Sequence, residues 1–145
     1  MIIDKLTEYL KECPLFDELF ELNVDYLGYG VNNISIEPTP TETIVKTFID
    51  GSTERQYLFI IGTRFNYSEE SAITIDNSGF FERFQNWLEK QTKDKTLPVL
   101  DTGQEVISIE ALSSGYLVDI NSDMRDARYQ IQCVLRYMQE EEYNG

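Results

Sequence analysis

The side chains able to carry out chemistry are few in kind. The 145-residue sequence contains no histidine, which removes Ser-His-Asp and Cys-His catalysis, histidine-ligated zinc and the commonest general base near neutral pH. Its two cysteines, Cys13 and Cys133, lie far apart without Cys-x-x-Cys spacing. They read as buried apolar thiols in a reducing compartment rather than as a disulfide framework. Gly28-Tyr29-Gly30 carries two glycines of a dinucleotide fingerprint, but no third follows and no strand-to-helix turn surrounds it, so a tight turn is expected. Asp119, Asn121 and Asp123 set oxygen ligands at alternate positions, as the opening of a calcium loop does. The glycine such a loop needs at its sixth place is Met124, and the glutamate at its twelfth is Gln130, so a polar turn is the expectation there. Acids are abundant, and no two are marked out as a glycosidase pair. These readings point to a protein that works by contact, with no catalytic group, cofactor or metal expected.

The charge balance narrows the partners. There are 26 acids against 12 bases, a net charge of −14, and the acids run along the whole chain. The densest basic stretch, Lys90, Lys93 and Lys95, falls at the end of a helical pattern, where it complements the helix dipole. Without a basic stripe to displace counterions, stable nucleic-acid binding is not expected, and the acidic field would repel phosphates. Aromatic residues make up 12% of the chain, but base-stacking platforms come with a basic groove, so most of these rings belong to a core. Arg128, Tyr129, Arg136, Tyr137 and Met138 are of the types enriched at protein interfaces and form the candidate contact set. The opening Met1-Ile2-Ile3-Asp4-Lys5 has no basic segment leading into an apolar block, and no apolar run is long enough to span a bilayer, so neither a secretory leader nor a membrane association is expected.

The elements that must position these residues follow from periodicity. Ile3, Leu6, Tyr9, Leu10 and Cys13 recur at three and four, giving a helix over Ile2 to Cys13 that Pro14 ends. Leu15 to Gly30 reads as a connector leading to a short strand. Pro38-Thr39-Pro40 forbids a helix, and Thr43 to Asp50 turns β-branched and aromatic. Asp50-Gly51-Ser52 then makes a hairpin turn into Gln56 to Tyr67, a strand whose apolar residues on both sides predict cover on both faces. Asp76-Asn77-Ser78 offers N-caps for a helix from Ser78 to Gln91 bearing Phe80, Phe81, Phe84, Trp87 and Leu88. Glu105 to Leu112 and Tyr116 to Asn121 read as a second hairpin joined by Ser113-Ser114-Gly115, followed by a last strand from Ala127 to Met138. In that strand Tyr129, Ile131, Cys133, Leu135 and Tyr137 alternate inward against Gln130, Gln132 and Arg136. The tail from Gln139 to Gly145 is acidic and reads as frayed. The sequence shows no internal repeat. One domain is expected at this length, an α+β fold with a mostly antiparallel sheet and two helices packed against it.

With this element order, the Ile2-Ile3-Asp4-Lys5-Leu6 helix opening, the Phe80-Phe81-Glu82-Arg83-Phe84-Gln85-Asn86-Trp87-Leu88 helix and the final Tyr129-Gln130-Ile131-Gln132-Cys133 strand, the chain resembles the tail terminator and minor capsid proteins of long-tailed bacteriophages and prophages. The resemblance covers most of the chain and involves no catalytic signature. It implies a homo-oligomeric ring, commonly a hexamer, that caps the head-proximal end of the tail tube, contacts the tail tube protein and docks to the head connector protein. It also implies assembly in the host cytoplasm and a final place in the virion tail. An acidic wall would suit a ring through which DNA must slide. Two other readings of the residues stay open: a small acidic cytosolic protein that engages or inhibits a basic partner by charge, and an enzyme using carboxylates and a divalent metal.

Overall fold

A computed structural model of the chain describes residues 2–16, 21–24, 33–66, 71–120 and 126–141. In chain order its elements are α1 (Ile2–Leu10), β1 (Glu21–Val24), β2 (Asn33–Pro38), β3 (Ile44–Thr47), β4 (Thr53–Asn66), α2 (Ser71–Lys93), β5 (Gln104–Ala111), β6 (Tyr116–Ile120) and β7 (Asp126–Gln139). The seven strands form one sheet, antiparallel throughout except where β1 runs parallel to β2. The fold is therefore α+β, as the periodicities predict.

The sheet is organised around two long strands. β4 and β7 pair over their whole lengths, from Thr53 opposite Gln139 to Asn66 opposite Asp126. Each carries two shorter strands end to end on its other edge: β2 and β3 beside β4, β5 and β6 beside β7. The chain thus builds the same unit twice, a helix, a broken edge strand and a long strand, and sets the two units antiparallel at the β4–β7 seam. On the β4 side the break follows Thr39, whose N still donates to Leu58 O; Pro40 has no N–H to give the ladder, and pairing resumes at Ile44. On the β7 side it is Ser113-Ser114-Gly115, and here the sequence reading needs correction. β5 and β6 do not form a hairpin with each other; both pair with β7, and the chain runs straight on between them. Leu112 N donates to Gln132 O, and Gln132 N donates to Ser113 Oγ, so the serine keeps the pairing alive across the gap. Gly115 is present for space: a Cβ there would lie 2.3 Å from Cγ of Phe81.

The helices cover one face of the sheet. Leu6 and Leu10 of α1 and Phe80, Phe81, Phe84 and Leu88 of α2 join Ile34, Ile36, Phe59, Ile61, Ile131, Cys133 and Leu135 in one cluster of buried side chains. Phe16, just past α1, stacks on Phe84 at 5.3 Å, and Tyr9 meets Trp87 at 5.6 Å, so aromatic contacts join the two helical segments. Helix α1 stops at Leu10, earlier than the apolar spacing suggests. Cys13 N bonds back to Leu10 O and Glu12 N to Tyr9 O, tightening the chain ahead of Pro14, which disfavours helical geometry at Cys13. Helix α2 begins at Ser71, not at Ser78: Asp76, Asn77 and Ser78, read as caps, are helical in backbone, because cap preference in isolation is weaker than the continuation of a packed helix. Its far end closes with Thr96 N on Gln91 O and Lys95 N on Thr92 O, and Lys95 takes a φ of 58°, a Schellman cap in a position glycine usually fills. The Asp50-Gly51-Ser52 turn forms as read, with Gly51 at φ 89° and Asp50 Oδ1 accepting from Ser52 N and Oγ. Those bonds favour the charged carboxylate and hold the Asp50 pKa down. Gly28-Tyr29-Gly30 lies outside the described residues.

Two outcomes test this packing. Phe84→Ala, at a side chain with no exposed surface, should cost about 3–5 kcal/mol in a denaturant titration; a loss under about 1 kcal/mol would place the aromatic stripe elsewhere. Gly115→Ala should cost about 1–3 kcal/mol by driving a methyl into Phe81. Combined with Phe81→Leu the two losses should fall short of additive, and strict additivity would show that the ring is not what the glycine accommodates.

Candidate interaction surface

The period of two along β4 and β7 decides which residues reach the surface. Odd-numbered side chains from Phe59 to Thr63 and from Ala127 to Tyr137 face the helices, and even-numbered ones face the open side. Of the candidate contact set, Tyr129 and Tyr137 fall on the helix side at 6% and 3% exposure. They are core residues and not surface contacts, a correction that their own inward alternation already contains. Arg128, Arg136 and Met138 lie on the open side. Met138 also borders a groove of about 520 Å³ between Leu97, Pro98 and Val106.

The open side carries a connected polar network. Arg128 Nη2 pairs with Glu37 Oε2 at 2.5 Å, and the same oxygen accepts from Ser35 Oγ at 2.7 Å. Arg128 also donates to Gln130 Oε1, whose Nε2 donates to Tyr116 Oη at 2.6 Å; Gln132 Nε2 donates to the same hydroxyl at 3.1 Å. The network runs from β2 to β6 and crosses β4 at Gly62, where a Cβ would come within 2.7 Å of Ser35 Oγ and 3.1 Å of Arg128 Nη2. The glycine is what lets the arginine lie flat across the strand. A second ion pair joins Arg136 to Glu110. Between the two pairs Leu58 and Ile60 are half-buried, and Val134 is buried without joining the main core. Cover on this face of β4 is partial: Leu58 and Ile60 stay half-buried, and among the described residues no helix lies over them.

Both cysteines and two tyrosines, Tyr9 and Tyr137, are held away from reactivity by burial. Burial pushes the Cys13 thiol up to about 11 and the Cys133 thiol higher still, so neither holds the thiolate a nucleophile needs. Burial also raises the Tyr137 hydroxyl against the opposing pull of Arg55, and raises Tyr9, with Cys13 and Glu12 adding to it. Of the three oxygen-bearing residues weighed as a calcium loop, Asp119 is exposed on β6, and Asn121 and Asp123 lie outside the described residues.

A feature not singled out in the sequence is a pair of apolar corners. Ile44, Val45, Phe48 and Ile49 are exposed along β3 and its hairpin tip, with Ile49 free of any cover. Leu117 and Val118 are exposed on β6, and Leu112 is exposed just past β5. The signal available was Phe48-Ile49 placed directly before the Asp50-Gly51-Ser52 turn, where polar residues are the rule.

No family model matches the sequence, and no curated protein does. Among the described residues, no helix is long and apolar enough to cross a membrane.

Replacing Arg128 by methionine should leave Glu37 with only the Ser35 hydroxyl as partner. At 23% and 25% exposure for the pair the loss should be about 1–2 kcal/mol, reduced from a fully buried charged bond by solvent screening. Thermal melts of Arg128→Met beside Arg136→Met would check it: an equal and negligible change at both sites would show that the network contributes nothing beyond an exposed ion pair.

Proposed function

We propose that the chain is a structural protein of a long-tailed phage or prophage, a ring-forming tail terminator or head–tail joining component that contacts the tail tube and the head connector. The observation that carries this reading is where the two most specific stretches of the resemblance fall. Phe80–Leu88 is the part of α2 that packs on the sheet, and Ala127–Tyr137 is most of the central strand β7, so the likeness rests on the elements that build the core. An acidic surface compatible with passing DNA, and a sheet face that bears apolar corners and no helix among the described residues, support it further. In this reading the protein assembles in the host cytoplasm and ends in the virion tail, and it uses neither cofactor nor catalysis.

A chain of −14 repels its own copies, so association should strengthen as salt shortens the Debye length from ~30 Å at 0.01 M to ~10 Å at 0.1 M. Sedimentation across protein concentration over that range should show a closed oligomer, and micrographs of purified tail tubes mixed with the protein should show a ring at one end. A chain that stays monomeric at high concentration and salt, with bare tube ends, would overturn the proposal in favour of the acidic binder of a basic partner.

A further inference from the structure

We infer that copies of this chain join head to tail through two different sheet edges, the outer edge of β3 on one copy and the outer edge of β6 on the next. The inference rests on the ring reading for the existence of self-association and adds the surface that makes it.

Edge strands expose unpaired backbone groups, and proteins ordinarily blunt them with charge, proline or a covering side chain. β5 is blunted in this way: Thr92 Oγ1 of α2 donates to Ile109 O at 2.7 Å and accepts from Ile109 N at 3.1 Å, occupying the outward backbone of that strand. β3 and β6 have no such guard among the described residues. They carry exposed Ile44 and Val45, and Leu117 and Val118, residues of high strand propensity where a free edge would normally be polar.

The occupant is a second copy because the two edges suit one another better than themselves. They are of similar length, four residues in β3 and five in β6. Each presents one ionisable group on the open face of the sheet: Lys46, level with Glu54, and Asp119, level with Arg128. Pairing β3 with β3 or β6 with β6 sets like charges together, whereas β3 with β6 sets lysine against aspartate. Direction agrees too. β3 is antiparallel to β4, β4 to β7 and β7 to β6, so β3 and β6 run oppositely within one copy. A neighbour in the same orientation therefore continues the sheet as an antiparallel pair.

The geometry also sets the step. Ten residues of β4 separate Glu54, beside Lys46, from Arg64, which is level with Asp119, so setting lysine against aspartate makes joined copies slip by ~33 Å along the strands. A contact between unlike surfaces closes into a ring only when its rotation closes, and here the slip is absorbed by tilting the strands to the ring axis.

The test uses the full chain and two variants, Val45→Lys and Val118→Lys, at exposed sites. Wild type should associate, and each variant alone should sediment as a monomer. An equal mixture should form a dimer and nothing larger, since one good β3 and one good β6 remain between them. Wild-type rings with either variant still assembling normally would overturn the edge assignment and leave the ring reading standing. A wild type that never associates would overturn both. Far-UV circular dichroism checks that the variants fold. Independently of them, Lys46→Glu and Asp119→Lys should each weaken association at least tenfold, and the doubly exchanged chain should regain most of it; no recovery would overturn the pairing.

Discussion

The fourteen-residue ladder between β4 and β7 is the contact on which everything else in this structure hangs. It supplies the middle of the sheet, sets the odd-numbered side chains of both strands toward the helices, and leaves each strand one further edge on which a broken partner can be laid. Because every residue of one strand has a partner on the other, a slip of β7 by one position would move Ile131, Cys133 and Leu135 out of the core together. The aromatic rings of α2 lock that register by filling the space over it. The polar network on the far side, from Ser35 through Arg128 to Tyr116, spans the same strands from the other face.

How much of this was legible in the sequence depended on whether a pattern reported the chain's own geometry or its neighbours'. The alternation in β7 and the aromatic stripe of α2 are local periodicities, and they placed Ile131, Cys133, Leu135, Phe84 and Leu88 correctly. The first two turns of α2 were not legible. Apart from Ala72, Ser71 to Ser78 consists of β-branched and cap residues, whose preferences point away from a helix. Ser113-Ser114-Gly115 was read as a turn because its composition fits one, whereas its glycine answers to Phe81, more than thirty residues earlier in the chain. Such a steric requirement leaves no trace in local sequence.

The candidate contact residues divide for a related reason. Residue type favoured Tyr129 and Tyr137 as interface aromatics, and period two had already assigned them inward; the structure follows the period. Arg128 and Arg136 did reach the open face, each committed to a glutamate on another strand. Neither type nor period could have revealed that the sheet is repeated about its central seam, since the two halves share a path and not a residue pattern. That repetition is what puts two free apolar edges at opposite corners of one molecule.

The central seam also governs how the chain reaches this state. Partners in the β4–β7 ladder are between 60 and 86 residues apart, Asn66 with Asp126 at the near end and Thr53 with Gln139 at the far one. The β3–β4 hairpin, by contrast, closes within a few residues around Gly51. Local pieces can form on microsecond timescales, while the seam must wait for a long loop containing all of α2 to close, which places the fold among the slow, high-contact-order topologies. Until then two long strands stand unpaired, the condition under which nascent chains stick to one another. A net charge of −14 spread along the whole length sets those intermediates to repel one another, so the acidity of the chain shelters it while it folds.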